Sequence, residues 1–339
     1  MTESVAQSVE TALANARIRA CPLCADQASS PVWFRATGSP VAVDYSTADL
    51  DSAGWRIVRC NSCGLLRVDP MPREKDLPAL YDESYYNEGT LAGGIHSGGM
   101  SGHLEVYSSP GRRQASLRWH GKTVGHLTRH GDLDRTAAIR LLDVGCGAGY
   151  FLDAARQAGW DVQGVELSVA SVQVGRQELG LNIIQGTLER ADLPNDCFDV
   201  VTMFEVLEHM VAPGRALAEA HRILKPEGLL AIQVPNDVES YRNGLFGKDN
   251  RWWIIPPLHL YFFSAGTLTR WLNDTGFQVV YVGTNGGIGT DALTLMKSHG
   301  RRPGRLLTAG LRRLPAPLDW LIERMGRHTE LTVYARKVR

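Results

Sequence analysis

Two short pairs of cysteines are residues whose type and spacing could hold a metal. Cys21 and Cys24 form one C-x-x-C pair, and Cys60 and Cys63 form another. Each pair can point two thiolates at a single ion, and four thiolates together favour tetrahedral zinc. Because four protein ligands leave no open position for water or substrate, the pattern predicts a structural zinc rather than a catalytic one.

A second pattern lies at 141–152, where an apolar run leads into G-x-G-x-G and then into a helix-like stretch. Gly145, Gly147 and Gly149 remove Cβ atoms where the chain reverses, so a ligand can lie against bare backbone. Glu166 ends the next predicted strand, 17 residues beyond Gly149. An acid at this spacing can accept hydrogen bonds from the two hydroxyls of a ribose. The pattern predicts a nucleotide-like cofactor.

The glycine spacing bears on which cofactor this is. Dinucleotide enzymes use G-x-G-x-x-G to seat a pyrophosphate on a helix N-terminus, whereas this chain has G-x-G-x-G. Asp143 lies just before the turn, where it would be poorly placed beside a pyrophosphate but well placed to attract the ammonium of a methionine group. A nicotinamide oxidoreductase is the alternative, and it predicts NADH binding.

These residues carry a resemblance to a known family. The run LLDVGCGAGYFL at 141–152 resembles motif I of the class I S-adenosylmethionine (SAM) methyltransferases, and FDVVTMFEVLEH at 198–209 resembles their strand-four motif. The resemblance implies that SAM is the cofactor and that residues after the third strand flank its adenine, although many relatives have Asp where this chain has Thr187. The predicted SAM-binding residues are Asp143, Gly145, Gly147, Gly149, Glu166, Thr187, Leu188 and Phe204.

Strands and amphipathic helices alternate from residue 139 onward. Strands are predicted at 140–144, 161–165, 182–185, 198–203, 229–234, 277–283 and 331–337. Helices are predicted near 150–158, 168–179, 213–224 and 265–275. Such alternation requires a mostly parallel sheet covered on both faces. We therefore expect an α/β fold with a seven-stranded, doubly wound sheet like that of the class I methyltransferases.

The chain divides into three predicted parts. Residues 1–75 form a zinc ribbon with an N-terminal tail, and its strands are predicted at 32–36, 41–45 and 55–59. Residues 76–135 form a helical and Gly-rich segment that could act as a lid or be an inert surface loop. Residues 136–339 form the methyltransferase domain, with a helical insertion at about 284–330.

Methyl transfer to oxygen or nitrogen requires a group that removes the acceptor's proton. His259 lies in a PPLHLYFF run that resembles a P-x-H-x-x-F signature of the family, and it could face the acceptor. His209 and Glu205 lie four residues apart, on one face if a helix starts there. Similar runs in ubiquinone-pathway O-methyltransferases are associated with a divalent metal, so Glu205, Glu208 and His209 could hold one. A structural role is the alternative for both histidines.

Charge and composition narrow the classes of partner. The 339 residues include 36 basic and 36 acidic side chains, so the chain has no net positive charge to attract the phosphate backbone of a nucleic acid. We therefore expect a small-molecule acceptor rather than nucleic acid. Met1 to Ala20 lacks the apolar core of a secretory signal, and no window approaches the roughly 20 apolar residues of a membrane span. These features predict a soluble, cytoplasmic protein.

An arginine-rich stretch at 301–314 bears on membrane contact. As a basic amphipathic helix it could lie on an anionic membrane or cover an anionic substrate. More often, such a helix has a solvated face and packs with its other side.

The sequence therefore predicts a SAM-dependent methyltransferase that acts on a small molecule, with O-methylation favoured and N- or C-methylation open. The whole chain resembles zinc-ribbon methyltransferases of natural-product, deoxysugar and cell-surface glycan pathways. One alternative is an RNA methyltransferase whose ribbon grips nucleic acid. Another is a non-catalytic SAM-binding scaffold. The acceptor and the oligomeric state stay open.

Overall fold

The structure is a computed structural model that describes residues 20–25, 29–32, 56–69, 71–72, 110–134, 138–236, 238–240, 259–286 and 316–338. These residues fall into two compact units. The first is drawn from 1–99, 235–267 and 283–331, and the second from 100–234, 268–282 and 332–339. The predicted strand at 41–45, the predicted Gly-rich lid and the arginine-rich stretch at 301–314 lie outside the described residues.

In chain order, the described strands are β1 (Ser29–Val32), β2 (Arg56–Cys60), β3 (Leu66–Asp69), β4 (Arg140–Val144), β5 (Asp161–Glu166), β6 (Ile183–Gln185), β7 (Phe198–Phe204), β8 (Leu224–Pro235), β9 (Tyr261–Phe262), β10 (Phe277–Asn285) and β11 (Glu330–Lys337). The described α-helices are α1 (Pro110–His130), α2 (Tyr150–Gln157), α3 (Val169–Leu179), α4 (Pro213–Ile223), α5 (Ala265–Asp274) and α6 (Ala316–Arg324).

Seven strands form one sheet in the order β10-β11-β8-β7-β4-β5-β6. The pairs β4–β5, β5–β6, β4–β7 and β7–β8 are parallel. This confirms the predicted fold, a doubly wound and mostly parallel sheet. The strand order reverses at β4, which has β5 on one side and β7 on the other. Ligands of such sheets bind outside the carboxyl ends of the strands at this reversal.

The central strands are nearly continuous apolar runs because helices cover both faces of a parallel sheet. All of β4 after its first residue is buried. In β7, the side chains of Phe198, Val200, Val201 and Met203 are fully buried. Burial on both faces fixes where these two strands end, and therefore where the loops that follow them begin.

The ends of α3 follow the capping signals in the sequence. The Ser168 hydroxyl accepts a hydrogen bond from the backbone N–H of Ser171 at 3.2 Å, so it caps the first turn. Gly180 ends the helix with a left-handed φ of 60°, a conformation that glycine adopts without steric cost. The helix predicted near 168–179 is therefore present, with a cap at each end.

Strand β8 begins five residues before its predicted start. Helix α4 ends at Ile223, and β8 follows at once with Leu224. The pairing with β7 then shifts between the partners Phe198↔Leu224 and Val200↔Leu229. Pro226 and Gly228 lie inside this irregularity, so two residues that usually interrupt regular structure lie within the strand here.

A second, four-stranded sheet lies in the first unit in the order β1-β2-β3-β9. Its three strand pairs are antiparallel. The strand predicted at 55–59 is confirmed as β2 with a shift of one residue. Strand β3 and the two-residue strand β9 were not predicted. Among the described helices, none combines the length and the apolarity that a membrane crossing requires.

Candidate cofactor site and cysteine cluster

The loop from β4 to α2 is the tight glycine turn that the sequence predicted. Gly145, Gly147 and Gly149 have φ values of 69°, 54° and 85°, all in the left-handed region that other residues rarely adopt. The N–H of Gly145 donates to the Val165 carbonyl at 2.8 Å, which ties the turn to the neighbouring strand. The turn therefore begins at the carboxyl end of β4, at the reversal of strand order.

The three glycines are required for different reasons. A Cβ on Gly145 would lie 2.5 Å from Val206 Cγ2, and a Cβ on Gly149 would overlap Leu181 Cδ1. Packing therefore excludes a side chain at both positions. A Cβ on Gly147 would meet no atom of the described residues within 4 Å. Among those residues, the bare backbone of Gly147 faces open space, which a ligand can fill.

The carboxylate of Glu166 lies against this turn. Its Oε2 accepts a hydrogen bond from the Gly147 N–H at 2.9 Å, and its Oε1 accepts one from the Ser168 N–H at 2.7 Å. The side chain is only 6% exposed. Burial raises the pKa of Glu166, and the backbone N–H donors oppose that rise. Each carboxylate oxygen has a second lone pair, so the group can also accept hydrogen bonds from a diol.

Asp143 is a second buried carboxyl group, 4% exposed, at the end of β4. The Thr202 hydroxyl donates to its Oδ1 at 2.6 Å. Burial raises the pKa of Asp143 to about 7, the negative charge of Glu166 adds to the rise, and the hydrogen bond from Thr202 opposes it. A cationic ligand group would therefore be attracted here and would favour the ionised form. Sequence reasoning missed Thr202, which fixes the orientation of this carboxyl group.

Two leucines near the ends of β5 and β6 differ in exposure. Leu188 is 1% exposed, so its side chain is covered by protein and only its backbone is left for a ligand. Thr187 precedes it and is partly exposed. Leu167 follows Glu166 directly and is 56% exposed, which gives the site an apolar side chain open to solvent. The sequence analysis did not select Leu167, although an apolar residue directly after the strand-ending acid was a usable signal.

The residues after β7 do not form the helix face that the sequence predicted. Glu205 is exposed and has a left-handed φ of 56°. The short 3-10 helix begins only at Leu207 and runs to His209. Because the left-handed residue interrupts helical geometry, Glu205 and His209 do not share a helix face. Glu208 is buried, and its Oε1 lies 3.5 Å from His209 Nε2. Phe204 packs edge-to-face on Phe151, with ring centroids 5.2 Å apart.

His259 and Asn236 belong to the first unit. His259 is half-buried and immediately precedes the fully buried Leu260. Asn236 is buried after the end of β8, where its Nδ2 donates to the carbonyls of His328 at 2.7 Å and Gly326 at 3.3 Å. The Asn236 amide therefore holds the chain after β8 to the chain before β11.

The four predicted zinc ligands form one cluster. The Sγ atoms of Cys21 and Cys63 lie 3.4 Å apart, and so do those of Cys24 and Cys60. All four sulfurs lie within 4.8 Å of one another. Tetrahedral zinc with bonds of about 2.3 Å would separate its sulfur ligands by about 3.8 Å, so the cluster fits the ion.

Comparison with known proteins identifies the class. Residues 123–282 match the family model described as a methyltransferase domain. The chain is 29% identical over 188 residues to a Mycolicibacterium smegmatis protein named "Probable S-adenosylmethionine-dependent methyltransferase", covering 55% of this chain and 68% of that protein. It is 30% identical over 168 residues to a ubiquinone biosynthesis O-methyltransferase of Methylococcus capsulatus, covering 47% and 70%.

Among solved structures, the chain is similar to a SAM-dependent methyltransferase from Archaeoglobus fulgidus, with 19% identity, a TM-score of 0.43, and coverage of 64% of this chain and 94% of that one. Other ubiquinone biosynthesis O-methyltransferases are matched over 59 to 70% of their lengths. On the sequence matches, this chain belongs to the SAM-dependent methyltransferases, which confirms the predicted family and enzyme class. None of the four clustered cysteines lies within the matched domain at 123–282.

The first prediction concerns Gly147. We expect Gly147→Ala to raise the Kd for SAM at least about tenfold, because the added methyl group enters the space beside the turn. Gly180→Ala is the matched control, since Gly180 has a similar φ of 60° and equally open surroundings. Both changes should cost about 1 kcal/mol of stability through left-handed strain. Calorimetric titration checks the affinities, and an equal loss of affinity in both variants would contradict the prediction.

The second prediction concerns the buried charge of Asp143. Its pKa is raised from 3.8 to about 7, so the folded chain loses stability as pH rises between these values, and the loss is complete above pH 7. Asp143→Asn should therefore stabilise the cofactor-free chain at pH 8 by up to about 4 kcal/mol and have little effect at pH 4. Urea unfolding at the two pH values measures the difference.

Asp153→Asn is the control for that experiment. Asp153 is just as buried, but it pairs with Arg156 at 2.6 Å and with Arg113 at 3.4 Å. Its neutralisation should lower the urea midpoint at pH 8, because the two guanidinium groups lose their partner. If Asp143→Asn also lowers stability at pH 8, the charge of Asp143 does not destabilise the folded chain, and the prediction is wrong.

Proposed function

We propose that SAM binds along the turn at 145–149, with its ribose hydroxyls held by Glu166. The observation that carries this proposal is the open space beside Gly147 together with the buried carboxylate that accepts the Gly147 N–H. A buried acid beside bare backbone suits a sugar diol that must lie close to the main chain. The site is a conventional place for a nucleoside, at the reversal of strand order.

The two ends of the cofactor are assigned from charge and exposure. Asp143 holds the ammonium of the methionine moiety, because a buried carboxyl group with a raised pKa gains most from a cation. The adenine lies between the exposed side chain of Leu167 and the backbone of Thr187 and Leu188. Phe204, at the end of β7, lines the same edge of the sheet.

The reaction we propose is O-methylation of a small molecule in a natural-product, sugar or other secondary-metabolite pathway. Relatives named as ubiquinone biosynthesis O-methyltransferases support oxygen as the methylated atom. The equal numbers of acidic and basic residues favour a small molecule over RNA. The acceptor oxygen attacks the methyl carbon of SAM in line, the C–O bond forms as the C–S bond breaks, and S-adenosylhomocysteine leaves.

Deprotonation of the acceptor is assigned to a histidine. His259 is the first candidate and His209 the second, since an imidazole is a base near neutral pH. Glu205 is the third candidate, as an exposed carboxylate next to the end of β7. A divalent cation held by Glu205, Glu208 and His209 would supply an alternative, because it would lower the pKa of a bound hydroxyl. The cysteine cluster holds zinc in a structural role.

Cofactor and acceptor are tested on one preparation. Titration with SAM, S-adenosylhomocysteine and NADH should show binding of the first two only. Transfer of a labelled methyl group is then measured with phenols, sugars, amines and RNA, and metal content is determined on the same sample. We expect label on hydroxyl acceptors. Label on RNA, or NADH binding without SAM binding, would overturn the proposal, and SAM binding without transfer to any acceptor would favour a scaffold.

The third prediction separates the two histidines. We expect His259→Gln to lower kcat at least about 100-fold and to remove the rise of kcat with pH near neutrality, because the base is lost. The Kd for SAM should change little. His209→Gln should have the smaller effect if His259 is the base.

His221→Gln is the control for the histidine variants. His221 lies in α4, and its Nε2 is 3.2 Å from the Val338 carbonyl, so its role is structural. This variant should keep the pH profile of the native enzyme. If His259→Gln and His209→Gln both keep kcat within about tenfold of the native value, neither histidine is the base.

A further inference from the structure

Strand β9 links the cysteine-bearing sheet to the segment that carries His259. Leu66 pairs with Phe262, and Arg67 pairs with Tyr261. The N–H of Val68 also donates to the carbonyl of Leu260 at 2.9 Å. Leu260 directly follows His259 in the chain. Leu260 lies nearly 200 positions from Val68 in sequence, and backbone hydrogen bonds to β3 thus hold the segment that contains it.

The other end of this ladder reaches the cysteine cluster. Cys60 is the last residue of β2, and Cys63 lies in the turn that leads to β3. The Cys60 N–H donates to the Leu65 carbonyl at 2.9 Å, and the Gly64 N–H donates to the Cys60 carbonyl at 3.0 Å. Two of the four sulfurs are therefore part of the hairpin whose second strand pairs with β9.

The pairing of β3 with β9 is also a packing unit. The four consecutive residues at 260–263 are all buried, and so are Leu65, Leu66 and Val68. The rings of Tyr261 and Phe263 stack with centroids 6.1 Å apart. Directly paired residues on adjacent strands place their side chains in contact distance, so the Leu66 and Phe262 pair joins the two segments by apolar contact as well as by hydrogen bonds.

A sheet this small depends on its metal. The described strands of this sheet are four and short, and small metal-binding modules obtain much of their folding free energy from the bound ion. Zinc binding would therefore stabilise the hairpin of β2 and β3, and through that hairpin it would also stabilise β9. Because β9 occupies the edge of β3, that edge is not available for pairing with another chain.

We propose that the cysteine-bound zinc positions His259. The ion fixes the turn between β2 and β3, β3 fixes β9, and β9 fixes the backbone next to His259. Phe262 is the positioning residue whose side chain couples the two segments. The catalytic consequence rests on the proposed function, in which His259 is the base, whereas the coupling between the zinc and β9 does not.

Coupling of this kind is reciprocal in binding free energy, so a change that weakens β9 must lower the affinity for zinc. Differences in affinity between related variants are expressed mostly in the dissociation rate. In the zinc-loaded full chain, we expect Phe262→Ala to release zinc to a chromogenic chelator at least about tenfold faster than the native chain. Phe277→Ala is the matched control, because Phe277 is the same residue type with the same 2% exposure and lies in β10. Its release rate should stay within about twofold of the native rate.

An unchanged release rate in Phe262→Ala would overturn the proposal, and so would purification of the native chain without zinc. If Phe262→Ala does not bind SAM and is therefore unfolded, Phe262→Leu replaces it, with an expected acceleration of about threefold. For the same variants, kcat should fall while the Kd for SAM stays within about twofold, a split that Phe277→Ala should not show.

Hydrogen exchange gives a second measurement that does not depend on activity. Removal of zinc from the native chain should raise exchange at 56–69 and at 259–263 but not at 140–150. A rise confined to 56–69 would overturn the coupling. If exchange is coupled but His259→Gln keeps full kcat, the positioning link stands and the assignment of the base fails. If zinc removal does not raise exchange at 259–263 and His259→Gln loses activity, the assignment of the base stands and the positioning link fails.

Discussion

The hydrogen bond from the Gly147 N–H to the Glu166 carboxylate joins the features on which the cofactor site depends. One end belongs to the turn after β4, and the other ends β5, the neighbouring strand. The bond ties the carboxylate to the turn at a residue whose conformation only glycine adopts easily. A packing role explains Gly145 and Gly149. It does not explain Gly147, whose surroundings are open among the described residues, as the proposed nucleoside site requires.

The same site carries an energetic cost in the absence of its ligand. Two carboxyl groups, Asp143 near the end of β4 and Glu166 at the end of β5, are buried at this site. Burial raises the pKa of both. Thr202 and the backbone N–H groups offset part of this cost through hydrogen bonds. A cation and a sugar diol would offset more of it. Among the described residues, neither acid pairs with a basic side chain, and buried acids with raised pKa values are typical of functional sites.

The cysteine cluster poses a different problem, since four thiolates leave a metal no open position for chemistry. Its sheet includes β9, so a metal bound by the four cysteines would support a segment far from it in sequence. In the proposed coupling, the ribbon has a role inside the enzyme that needs no nucleic acid. It also explains why a short run of residues at 260–263 is entirely buried although only two of them form a strand.

The sequence alone determined the alternation of strands and helices from residue 139 onward, the glycine turn, the acid that ends β5 and the four cysteines. These features depend on residues close together in the chain, where hydrophobic period, backbone conformation and ligand spacing act locally. The tertiary structure decided the rest. It paired β9 with β3, covered Leu188 while leaving Leu167 exposed, placed Pro226 inside a strand, and set Glu205 in a left-handed conformation that separates it from His209. Each of these outcomes depends on neighbours distant in sequence, and such packing leaves no periodic signal in the chain itself.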